Sequence, residues 1–257
     1  MISLKLRLLD LLYEMCYNFY KIKIMLLDSK VIYMTIKELQ NLNDIGRAEK
    51  RGIYKISLYK SNIHYFRACD YMQKINYCIQ DLNIELEQLS DLSNKSIVYI
   101  ITLVTWIREA VKELSNLYKE NVCTKFNYSQ EEELKKAEKF LSALRSFVVA
   151  HPLTTNRHMS YGMNGNLTCI DIKLPCEYLG IVPQKDIAHL DYEGLHESTG
   201  KNADFYLYAF STQIEKKDIS IHIGCCMRDI YHIAELYIEK IYELDKHLQK
   251  EKKQIKL

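Results

Sequence analysis

Between Ser57 and Ala150, apolar residues recur every three or four positions in three successive runs joined by short polar links. That spacing predicts three helices, and the short links make neighbours antiparallel. In the first run, to Leu89, the stripe is Phe66, Cys69, Met72, Ile75, Ile79, Leu82, Leu86 and Leu89. The second, from Lys95 to about Glu120, carries Ile97, Ile100, Ile101, Val104, Ile107, Val111, Leu114 and Tyr118. Its first half is apolar nearly all round, which implies deep burial or a helical partner. In the third, from Ser129, the stripe is Leu134, Ala137, Leu141, Leu144 and Val148. Ser129 and Glu132 have capping-box spacing, and Glu131 to Glu133 put negative charge at the positive end of the helix. Pro152 forces His151 out of helical geometry, so this helix stops at about Ala150.

The other segments complete a mainly α chain. Thr35 to about Arg51 reads as a short helix with a second capping box, Thr35 and Glu38. Past Pro152, LTCIDIKL, DFYLYAF and DISIHI alternate or are rich in β-formers, so a small antiparallel sheet is expected at about 160–223. Residues 175–203 carry two Pro and three Gly and read as loop. A final helix spans about Cys226 to Lys250. The expected architecture is an antiparallel helical bundle with a small antiparallel β insertion before the C-terminal helix.

Composition narrows the function classes. With 48% apolar and 26% charged residues, the chain reads as globular. A net charge of +2 is too balanced for a protein that coats nucleic acid, so any RNA contact should be local. Eight Cys contain no C-x2-C pair, which favours reduced thiols and a cytoplasmic setting. A metal site from Cys169, Cys176, Cys225 and His222 is the alternative. Charges at Lys5, Arg7, Asp10, Glu14, Lys21 and Lys23 break residues 1–33 too often for a spanning helix, so no membrane partner is expected. Met34 looks like a fresh start, with 1–33 an upstream extension or an extra helix and 34–257 one domain. No phosphate-cradling glycine loop, nucleophile elbow or HExxH is present.

The third helix ends on Arg145-Ser146-Phe147-Val148-Val149-Ala150-His151, within LRSFVVAHPLTTNRH. This resembles the HEPN superfamily of small all-helical domains, whose signature is Arg, four to six residues, then His at the end of a long helix. The resemblance covers roughly residues 60–158. It implies a metal-independent RNA endonuclease of toxin or phage-defence type, with a cognate antitoxin as partner and no cofactor. Arg145 would hold the scissile phosphate, since a guanidinium stays charged and donates to two oxygens. His151 would move the proton of the ribose 2′-hydroxyl. Ser146 would fill the accessory position, where the family usually has Asn, Asp or His. Outside the motif, Asn156, Arg157 and His158 gather polar groups at the same helix end and are candidate RNA contacts.

The family's site is composite, built from two copies in a homodimer. Here the expected two-fold interface buries Ile97, Ile101 and Trp106 of the second helix. The other reading is a non-catalytic module that dimerises or binds a protein. Under it, His151 is a core histidine and Arg145 pairs with Glu109 or Glu113. The Arg228–His232 pair reads as plain helix surface.

Overall fold

The computed structural model describes residues 36–40, 42, 53, 56–122, 126–150, 169–178, 186–197, 203–211 and 219–254. Four long helices stand out: α1 (Asn62–Glu87), α2 (Asn94–Val122), α3 (Glu131–Arg145) and α4 (Met227–Gln254). Ser61 caps α1, its side chain accepting from the His64 amide. Ser93 does the same for α2, taking the Ser96 amide at 3.1 Å. Asp204, buried, accepts from the Met227 amide at 2.7 Å and places negative charge at the start of α4.

α2 is the central helix, in contact with α1, α3 and α4. All eight residues of its expected stripe are buried, which explains why so much of its circumference is apolar. The π-helical turn Ser146–Ala150, described below, packs on it as well. On α1 the buried stripe is Ala68, Met72, Ile75, Ile79 and Leu82, whereas Phe66, expected inside, is 59% exposed. The Tyr231 hydroxyl donates to the Leu82 carbonyl at 2.7 Å, tying α4 to α1.

The expected bundle with a small antiparallel insertion is corrected by a five-stranded mixed sheet. Its strands are β1 (Cys169–Lys173), β2 (Ile187–Asp191), β3 (Gly194–His196), β4 (Phe205–Ser211) and β5 (Ile219–Cys225). Their order is β1-β4-β5-β2-β3, with β2 parallel to β5 and the other pairs antiparallel. Two strands and the turn Pro175–Tyr178 therefore fall in the segment expected to be loop. β2 and β3 are only five and three residues long, too short for alternation to register. Their turn needs Gly194 at φ 108°, and Asp191 Oδ1 accepts the Glu193 amide across it.

The sheet is no appendage. Ile170 and Ile172 of β1, Leu207 and Ala209 of β4 and Ile223 of β5 are in register and belong to the same core as the helices. Hydrophobic burial is thus shared between the helices and one face of the sheet, a two-layer solution. The edge strand β1 touches the turn that follows α3, and Asn94 Nδ2 donates to the Ile172 carbonyl at 3.2 Å.

Two expected local features are also replaced. Ile36 to Gln40 is not helical: the Asn83 amide holds both the N–H and the carbonyl of Leu39, and Asn76 Oδ1 accepts from the Leu42 amide. These side-chain bonds compete with a helical ladder. Ser129 does not cap α3, because its amide and hydroxyl are taken by the Glu243 carboxylate of α4. The N-cap is Gln130, without a side-chain bond, and Glu132 pairs with Lys135. The expectations for 1–33 and for a start at Met34 lie outside the described residues.

His232, expected on plain surface, links three elements. Its Nε2 lies 2.9 Å from Glu133 of α3, its Nδ1 lies 3.0 Å from Glu235, and its ring lies over Tyr192. The hydrogen bond to Glu235, then that to Glu133, outweigh burial and push its pKa up to about 9. An unfolded histidine titrates near 6.5, so this link is fully present below that pH. It is lost as pH rises from about 6.5 through 9. The site is half-buried, so the stabilisation is on the order of 1 kcal/mol after screening. Thermal melting should therefore fall over that window in the wild type and fall less in His232→Gln. Equal slopes for the two proteins would refute the assignment.

Candidate nucleic-acid interface

α3 ends at Arg145 and continues as the π-helical turn Ser146–Ala150. A π turn widens the helix by one residue and is found disproportionately at functional sites. The described part of the helix ends in this widened turn, at Ala150. Phe147, wholly buried, pins the turn between α2 and the sheet edge, whereas Val149 is exposed.

Arg145 is exposed and makes no hydrogen bond or ion pair with any described residue. The expected pairing with Glu109 or Glu113 is replaced by another. Glu109 accepts from Nη2 of Arg108, whose Nη1 reaches Ser142 Oγ at 3.3 Å. The Arg108 hydrogen bond, then the charges of Arg108, Lys112 and Arg145, hold the Glu109 carboxyl below the usual carboxylate range. Lys112 of α2 also pairs with Glu138 of α3, so the two helices are stitched at intervals of four residues. Continuing that antiparallel register sets Arg145 alongside Thr105 and Trp106 of α2.

Beneath this surface lies a buried polar nest. Arg108 is 6% exposed, and its Nε, the Tyr237 hydroxyl and Ser146 Oγ are buried without partners among the described residues. Burial first, then Glu138, pushes the Tyr237 hydroxyl up, so it stays a neutral donor. Arg108, absent from the sequence expectations, stands in the core series Val104, Arg108, Val111. An arginine at such a position was the available signal.

Compared with protein-family models, curated proteins and solved structures, the chain matches none.

The remaining site residues sort by position. Ser146 is buried beneath Arg145 rather than presented beside it. His151, Asn156, Arg157 and His158 lie outside the described residues. The alternative metal set does not assemble: Cys169 pairs with Phe210 at one end of β4, while Cys225 pairs with Phe205 at the other. Five residues of strand separate those rows by roughly 17 Å, beyond any shared ion. No described helix is long and apolar enough to cross a membrane.

Proposed function

We propose that the chain is a metal-independent RNA endonuclease that cuts with Arg145 and His151. The observation that carries the reading is Arg145 itself. It is an exposed guanidinium, without a hydrogen bond or ion pair among the described residues, on the last residue of α3, followed by a π turn that ends one residue before His151. Glu109, the carboxylate that feels the charge of Arg145, is already held by Arg108. Arg145 is left to bind an outside anion.

The chemistry follows from the two side chains. The Arg145 fork donates to the non-bridging oxygens of the phosphate, where charge grows in the transition state. His151 takes the proton from the ribose 2′-hydroxyl, whose oxygen attacks phosphorus. The bond to the 5′-oxygen breaks, and that oxygen takes a proton, leaving a 2′,3′-cyclic phosphate and a 5′-hydroxyl. In a two-copy site, the second His151 donates this proton. The interface expected for such a site cannot use Ile97 and Ile101, which are fully buried, and retains only Trp106. A cognate antitoxin, in the toxin or phage-defence setting, would be a protein that covers Arg145.

Purified protein should cleave single-stranded RNA in EDTA and leave cyclic phosphate ends. Cleavage that requires a divalent metal, or no cleavage with or without one, overturns the proposal. The second reading, a non-catalytic dimerisation or partner-binding module, is favoured by one observation, the exposed face of α1.

A further inference from the structure

α1 carries two apolar stripes, and only one is buried. Ile63, Phe66, Tyr77 and Ile84 are 66%, 59%, 55% and 47% exposed. With the exposed polar residues Asp70, Gln73 and Gln80, they follow one another at intervals of three and four residues along α1. That is a 3.5-residue repeat, the spacing by which one helix keeps a seam against another. The core stripe, Met72, Ile75, Ile79 and Leu82, lies on the opposite side of the helix.

The charge pattern specifies the partner. Towards its N-terminus α1 carries Arg67 and Lys74 against Asp70; towards its C-terminus it carries Asp81, Glu85 and Glu87 with no basic residue. A helix basic at one end and acidic at the other is complementary to itself when antiparallel and self-repelling when parallel. An antiparallel pair is also what a two-fold axis crossing the helix near its middle generates. There, Gln73 Nε2 donates to the Tyr77 hydroxyl at 2.6 Å, holding both central side chains in place. Lys74 sits 3.7 Å from the centre of the Trp106 ring, so the seam is flanked by an ordered aromatic of α2.

From this self-complementarity we infer that the exposed face of α1 is the docking surface for a second copy of this chain, paired antiparallel about Gln73 and Lys74. The inference does not rest on the RNA reading. A helix of 26 residues is about 39 Å long, and a strip about 10 Å wide gives roughly 400 Å² per copy. That is below the standard interface, so the pair belongs to the weak, reversible class. Its dissociation constant should be micromolar or weaker.

Sedimentation velocity of the full chain from about 5 to about 500 µM tests this. The wild type should pass from monomer to dimer with concentration. Phe66→Glu should raise the dissociation constant at least about tenfold without changing thermal stability, because Phe66 is on the surface. Arg67→Glu and Asp81→Arg should each weaken the dimer, and the double variant should recover it, since these two positions face each other across an axis at Gln73 and Lys74 and each charge again meets its opposite. A monomer at every concentration overturns the inference. So does a dimer indifferent to Phe66→Glu, or a double variant weaker than both single ones.

Discussion

Arg145→Ala is expected to slow RNA cleavage by at least about a hundredfold while shifting stability by no more than about 0.5 kcal/mol. The two halves of that expectation have separate grounds. Arg145 makes no hydrogen bond or ion pair with a described residue and only adds to the attraction on Glu109, so its loss costs the fold little. In the proposed mechanism it is the donor to the growing phosphate charge, and deleting a single such donor costs about 10²–10³ in rate in comparable sites, that is, about 3–4 kcal/mol of barrier. Arg145→Lys should fall between the two, because an ammonium keeps the charge but loses the planar fork. Single-turnover cleavage in EDTA beside thermal melting provides both readouts. Activity within threefold of wild type in Arg145→Ala would remove Arg145 from the mechanism. A large fall in melting temperature would instead make it a structural residue.

The other large effect should come from Phe147→Ala. Phe147 is fully buried in the π turn, where α2, α3 and β1 converge. Truncating a buried phenylalanine costs about 3–5 kcal/mol, from lost transfer energy and the cavity left behind. Typical domains are stable by only about 5–15 kcal/mol, so this is a large share of the whole. Urea unfolding should show a lower midpoint with an unchanged slope. Val149→Ala, two residues away on the exposed side, is the control and should stay within about 0.5 kcal/mol. Comparable losses at both positions would mean that the turn is not anchored through Phe147.

Where local pattern and tertiary burial agree, the sequence is a reliable guide. α2 is legible because its stripe persists over many turns and all of it is buried. β4 and β5 are legible because alternation sends Leu207 and Ile223 to one face, opposite each other. On α1 the repeat is equally clear, but it has two phases, and nothing local says which one meets the core. The sequence pattern alone puts Phe66 in the wrong phase for that reason. β2 was hidden because its partner β5 lies more than thirty residues away and parallel, a contact no local window contains. Ser129 has the chemistry of a cap, yet Glu243, distant in sequence, holds it more strongly. At the candidate site, Pro152 marks the end of the helical pattern, and Arg145 stands on its last regular turn. The widened turn and the Arg108–Glu109–Ser142 contacts arise from packing between helices, which spacing along the chain does not encode.

The strand order has a consequence for how the protein comes into being. β5 lies between β4 and β2, and α4 follows it almost at once. Until β5 is synthesised, β2 and β3 have no link to β1 and β4, and the apolar faces of α2 and α3 lack α4. Synthesis runs from the N-terminus at about 5–20 residues per second, so α3 emerges several seconds before the helix that completes its packing. The nascent chain therefore stays unfinished until β5 and α4 are made, and folding waits on those two elements. Premature stops before β5 should yield aggregation-prone fragments rather than a smaller working domain.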